Sequence, residues 1–276
     1  MNRTKIEYLT HTWNPIAMRC DPVSEGCKNC WHLAICKRQA ANPILSDEVR
    51  DAKAGGEPIL LDKELKAPLR LKQPARIGVQ FMGDLFHDDV PFEFINKVFC
   101  VMQDCPQHTF QVLTKRAKRT CRYMQATTPR LPNVWLGVTA ENQKAADERV
   151  SILRDCPAAV RFVSVEPLLG PVDLRFGDNM KSGEDSGVGC YPCENGGIRH
   201  QHYISEPCGR GIDWVIIGCE SGSKRRPCKL EWVRDLVQQC QAASVPVFVK
   251  QLDLGTRVSQ DPDDWPEDLR VREYPA

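Results

Sequence analysis

The residues of this chain best suited to chemistry gather near its start, where Cys20, Cys27 and Cys30 follow a Thr12-Trp13-Asn14-Pro15 segment with the spacing C-x6-C-x2-C. Three thiolates so spaced can converge on a soft metal centre, and the turn residues between them, Gly26 and Asn29 included, let a short loop wrap around it. A [4Fe-4S] cubane held by three cysteines keeps one iron without a protein ligand. S-adenosylmethionine can chelate such an iron through its amino and carboxylate groups, and one electron then splits its sulfonium to give a carbon radical. Other readings stay open. Cys27 and Cys30 alone have the spacing of a redox dithiol, although no strand precedes them as that motif expects. Cys36 or His32 could complete a four-ligand zinc site, and a closed four-thiolate cluster would be structural or electron-carrying. Cys36 falls on the helix expected after Cys30, where packing is its simpler role.

A second group comprises Cys190, Cys193, His200, His202 and Cys208, inside a glycine-rich, aperiodic stretch at 176–211. Its C-x2-C pair with a distant cysteine and histidine has the makings of a structural zinc site. Ligation would offset the cost of ordering an insertion of that length. The competing reading is a lid with incidental cysteines.

Two basic stretches could grip phosphates: Lys115, Arg116, Lys118, Arg119 and Arg122, and then Lys224, Arg225, Arg226 and Lys229. Either alone reads as a solvated face, but both follow strand ends on one rim, which favours a nucleic-acid substrate. The net charge of +1 adds no global field to that reading. With 42% hydrophobic and 26% charged residues and no apolar run of 18, the chain is expected to fold without a membrane partner. The start lacks a signal-peptide core, so 14 cysteines are expected in the reducing cytoplasm, where metal ligation or burial explains them better than disulfides.

These groups need elements to position them. Apolar runs at 77–84, 108–115, 133–140, 160–167, 213–221 and 245–251 alternate with helical patterns at 91–103, 141–153 and 230–243. Near-continuous apolar runs predict strands covered on both faces, and the alternation predicts parallel strands joined by crossover helices. The expectation is an α/β fold, an open or partial barrel forming one domain over 1–276. Each run ends in a polar or glycine-bearing tail, and in such folds the carboxyl ends of the strands build the site. Any one polar tail is equally what a loop requires.

Taken together and in order, TWNP, C-x6-C-x-N-C, GDLFHDDVP (83–91), FQVLTKR (110–116), NVWLGVTAEN (133–142), SVEPLLGPVDL (164–174), IDWVIIGCESG (212–222) and the stretch 225–251 resemble a phage and bacterial radical-SAM family described by its three-cysteine motif. The resemblance implies a partial (β/α)6 radical-SAM-type barrel with a [4Fe-4S] cluster on Cys20, Cys27 and Cys30. It also implies S-adenosylmethionine as cosubstrate and a reductant such as flavodoxin or ferredoxin, in a bacterial or phage-infected cytoplasm. By analogy with other radical-SAM barrels, Asp84 would accept from the cofactor's ammonium. Thr139, Glu141, Asn142, Ser164 and Glu166 become candidates for ribose, adenine and substrate, a salt bridge being the alternative for either glutamate. Phage relatives imply an isomerase acting on thymine in DNA that carries an amino acid, such as glycine, through nitrogen on its methyl carbon. Hydrogen abstraction at the α-carbon would then replace a carbon–nitrogen link by a carbon–carbon one. The rivals are another radical-SAM reaction on a nucleotide, tRNA or peptide, and a zinc-stabilised nucleic-acid-binding module without catalysis. The long first cysteine gap departs from the commoner radical-SAM pattern C-x3-C-x2-C, and the chain departs from similar proteins in Cys219 where a second glycine is common and in Leu252 in place of an aromatic.

Overall fold

The apolar runs do become strands. The computed structural model describes residues 1–127, 130–176 and 211–276. In chain order the strands are β1 (Asn2–Arg3), β2 (His11–Trp13), β3 (Ile16–Ala17), β4 (Ile59–Leu60), β5 (Arg76–Val79), β6 (Thr109–Thr114), β7 (Val134–Thr139), β8 (Val160–Val165), β9 (Trp214–Gly218), β10 (Val247–Asp253) and β11 (Val258–Ser259). The helices are α1 (Trp31–Ala40), α2 (Asp47–Ala54), α3 (Asp62–Leu65), α4 (Phe92–Gln103), α5 (Ala117–Thr127), α6 (Gln143–Arg154) and α7 (Leu230–Ala242).

One sheet runs in the order β1-β2-β5-β6-β7-β8-β9-β10-β11. From β2 to β10 every neighbouring pair is parallel, while β1 and β11 pair antiparallel at the two edges. The fold is therefore α/β with a large, mostly parallel sheet, one parallel strand more than the six apolar runs predict. The additional strand, β2, is only three residues long, too short for its alternation to register as a period.

Period-two alternation divides the sheet between two cores. Val79, Val112, Leu136, Val163, Val215 and Val249 join the larger cluster under the helices. Phe162, Trp214, Ile216 and Phe248 form a second, with Leu113 and Trp135 packed against it. Tyr8, which precedes β2, meets Trp214 and Phe248 edge-on with ring centroids 5.8 Å apart in both cases. Contact between the approach to the first parallel strand and the last two requires the sheet to curl. Each large side chain removed from water in these cores contributes roughly 2 kcal/mol.

The helices bury stripes at i, i+3 and i+4: Phe94, Ile95, Val98, Phe99 and Met102 on α4, and Val233, Leu236, Val237 and Cys240 on α7. Helix α6 starts two residues later than its apolar pattern implies. The Asn142 side chain accepts from Ala145 N at 2.9 Å, so Asn142 is the cap and Glu141 is left in the loop that ends β7. No helix among the described residues is long and apolar enough to cross a membrane.

Gly137 shows how closely the inner layer is fitted, because a Cβ there would stand 2.4 Å from the Phe162 ring, which is itself fully buried. Gly137→Ala is expected to destabilise the protein by about 1–3 kcal/mol through overpacking. Urea unfolding checks this, and pairing the change with Phe162→Leu should recover part of the loss.

Candidate functional site

At the carboxyl ends of the parallel strands lies a cavity of about 480 Å³ whose wall includes Cys20, Cys27 and Cys30. The same wall includes Asp84, Thr114, Lys115 and Arg116, then Thr139, Ser164, Glu166, Cys219, Glu220 and Lys250. Five successive strands, β6 to β10, thus send residues to one space, and the cysteine loop forms part of its wall.

That loop is tied down at four points. Arg116 approaches the Cys20 sulfur at 3.8 Å. Gly26 N donates to Glu141 Oε1 at 3.3 Å, and a Cβ on Gly26 would stand 3.1 Å from the Glu141 carboxyl carbon, so a side chain there would crowd the contact. Asn29, between the second and third cysteines, donates to Glu220 Oε2 at 3.0 Å and to the Lys224 carbonyl at 2.8 Å. Arg226, held by Glu220 at 2.7 Å, donates to the Glu25 carbonyl at 3.1 Å. Asn29 is legible in sequence as a turn residue of the cysteine loop, but nothing in sequence marks Glu220 as its partner; only their meeting in space reveals it.

The carboxylates divide sharply by what they touch. Asp84 accepts from Phe86 N (2.9 Å), Thr114 Oγ1 (2.8 Å), Lys115 N (3.1 Å) and Arg116 (3.2 Å), so both its oxygens already brace the ends of β5 and β6. Glu141 is fully buried and pairs with Arg149 at 2.9 Å and Lys115 at 3.4 Å. Burial alone would raise its carboxyl, but Lys115, Arg149 and the Ser24 hydroxyl outweigh that and bring it down to about 2. The stability from this tie is therefore complete above the ordinary value of 4.5 and lost as pH falls toward about 2. Glu166 pairs with Lys250 across the cavity wall. Thr139 and Ser164 line the cavity, whereas Asn142 serves as the helix cap.

Most of the basic rim is spent internally. Lys115 pairs with Glu141, Arg116 with Asp84, and Arg226 with Glu220. Arg119 donates to the Val90 carbonyl at 2.6 Å and lies over the Phe92 ring, while Arg225 donates to the Gly255 carbonyl at 2.9 Å. Of the nine rim residues singled out from sequence, Lys118, Arg122, Lys224 and Lys229 are exposed. The others sit where partly buried carboxylates and carbonyls need counter-charge or donors.

The donor chemistry of the loop bears on a metal. All three cysteines are free thiols. Burial and the Asp84 carboxylate push the Cys20 thiol up to about 11 against the pull of Arg116, so a soft metal binding there would have to displace its proton. Among the described residues no three His, Cys, Asp or Glu side chains are drawn together as a site for a single ion. A cubane differs in demanding no common point, since each thiolate serves its own iron. Cys190, Cys193, His200, His202 and Cys208 lie outside the described residues.

Cys36 is buried on α1, 3.5 Å from the Met18 carbonyl and 3.3 Å from His32 Nε2, and it does not line the cavity. His32 does line it, but burial and the neighbouring Lys53 hold its imidazole down to about 4. Cys36→Ala is expected to keep full metal content after reconstitution while losing about 1 kcal/mol of packing. Loss of iron from that variant would instead make Cys36 a ligand.

A family model described as "Protein of unknown function (DUF5131)" matches residues 3–262, and the chain belongs to that family. No curated protein and no solved structure matches it.

Proposed function

We propose that this DUF5131 member is a radical S-adenosylmethionine enzyme whose Cys20, Cys27 and Cys30 hold a [4Fe-4S] cluster at the mouth of a partial (β/α)6-type barrel. One observation carries the reading: the three cysteines share a single cavity with the tails of β6 to β10. When bound together, a cluster with one cysteine-free iron and S-adenosylmethionine supply an electron transfer that opens the sulfonium and yields a carbon radical. A stand-alone zinc module has no need of such a chamber, since its thiolates saturate the metal.

The chain's own residues give the site its order and its dryness. Arg116 steadies Cys20, Glu141 and Ser24 hold the middle of the loop, and Asn29 joins its end to Glu220. Thr139 and Ser164 offer hydroxyls for ribose or base. Phe81, Leu113 and Tyr8 give an apolar floor that would shield a reactive carbon from water. Thr114, Lys115 and Arg116 already engage both Asp84 oxygens, which argues against Asp84 as the acceptor for the ammonium of S-adenosylmethionine.

The substrate we propose is a nucleic-acid base, with isomerisation of an amino-acid-bearing thymidine in phage DNA as the specific reaction. Lys118, Arg122, Lys224 and Lys229 are exposed rim cations available to phosphate. The test is anaerobic reconstitution with iron and sulfide, then reduction with S-adenosylmethionine present. Formation of deoxyadenosine, followed by mass spectrometry of nucleosides from glycine-modified DNA, would support the two levels of the reading in turn. A zinc-loaded protein that forms no deoxyadenosine would overturn both.

A further inference from the structure

Deep in the cavity wall, the Lys250 ammonium on β10 reaches across β9 to the Glu166 carboxylate at the end of β8. The reach depends on Gly218, where a Cβ would stand 3.2 Å from the Glu166 Cγ and Cδ. Lys250 is the charge that directly follows the apolar stretch 245–249. Its side chain is only 14% exposed, and that of Glu166 19%. Holding a charged pair there gains little stability over apolar packing of the same volume, so burial does not explain it. The Tyr8 ring faces the same space, and burial together with Glu166 and Glu7 keeps its hydroxyl protonated and able to donate.

We infer that Lys250 and Glu166 form a subsite for the α-amino-acid group of the substrate, Lys250 taking its carboxylate and Glu166 its amine, with Tyr8 beside them. A ligand that is neutral overall can enter such a pair without changing the net charge, replacing one ionic contact by two. The surroundings favour that over a phosphate. Glu7 lies close enough for its charge to act on Lys250, and its Oε2 is buried without a hydrogen-bond partner. Two carboxylates against one ammonium repel a polyanion but admit a group that brings a cation of its own.

The inference rests on the proposed function for the cavity's role as reaction chamber, and it adds which group of the substrate is gripped and by what. Binding to the reconstituted protein tests it, measured by anaerobic calorimetry with N-benzylglycine, its methyl ester, benzylamine and S-adenosylmethionine as separate probes. N-benzylglycine is expected to bind at least tenfold tighter than its ester or benzylamine. Lys250→Met should erase that advantage, Lys250→Arg should restore much of it, and Glu166→Gln should weaken N-benzylglycine while sparing any affinity for phenylacetate. Equal binding of acid and ester to the unmodified protein would overturn the inference without any variant. So would a Lys250→Met protein that loses S-adenosylmethionine but keeps N-benzylglycine, because the pair would then serve the cosubstrate's methionine head. Carboxylate-dependent binding through Lys250 in a protein that forms no deoxyadenosine would uphold the subsite while ending the radical reading.

Discussion

Cys27→Ala is expected to leave the reconstituted protein with almost no cluster iron and to cut deoxyadenosine formation by more than roughly a hundredfold, beyond the loss usual for a residue that only supports a ligand. Cys27 is the buried member of the three, seated on the loop whose middle is fixed by Glu141 and Ser24. Removing its sulfur would take away the proposed ligand without releasing the loop, since the ties run through Gly26, Asn29 and Glu25 rather than through the thiol. Iron content, the visible absorption of the cluster and its electron paramagnetic resonance signal measure the outcome together. Cys36→Ala is the matched control, a buried cysteine of the same region outside the cavity. Equal iron in the two variants would refute the assignment.

The largest stability effect should come from Glu141→Ala. The carboxylate is fully buried between Arg149 and Lys115, and it also accepts from the loop at Gly26. Its removal strands the Arg149 guanidinium, itself 7% exposed, beside a cavity in the sheet's end, at a cost of about 3–5 kcal/mol. For a domain of this size the melting temperature should fall by on the order of 10 °C. Hydrogen exchange should rise in the cysteine loop as well as around Arg149, because one residue secures both. Glu141→Gln, which keeps the shape and one acceptor, should lose less, and Lys115→Met less again because Lys115 is partly solvated. A normal melt for Glu141→Ala would show that the tie is dispensable. The acid limb should agree: with the carboxyl lowered to about 2, its contribution should persist through mildly acidic conditions and fade only as pH drops below the ordinary carboxylate range.

Both results bear on how the site is built. A cysteine loop alone has too few apolar contacts to hold a shape, and here a buried carboxylate after β7, a guanidinium after β6 and a carboxylate after β9 fix it. Two of the charged residues that sequence reasoning assigns to phosphates, Arg116 and Arg226, are among those doing this. Arg116, Arg225 and Arg226 lie in basic runs because Asp84, Asp253 and Glu220 face them, and a carboxylate distant in sequence leaves no mark on a basic run.

What the amino-acid sequence determined by itself is the framework and the close grouping of three cysteines. Strands β6 to β10 were legible because burial on both faces demands unbroken apolar runs, and the three cysteines because close spacing within one loop is a local property. Strand β2 was hidden by its brevity. Only the tertiary structure decided which polar tails face the cavity and which are consumed as braces. Asp84, Glu141 and Asn142 look alike in sequence as strand-end acceptors, yet the first two are saturated by partners from elsewhere in the chain and the third caps a helix. The Lys250–Glu166 pair came into view for the same reason, since its members meet across the intervening β9, where Gly218 leaves room between them.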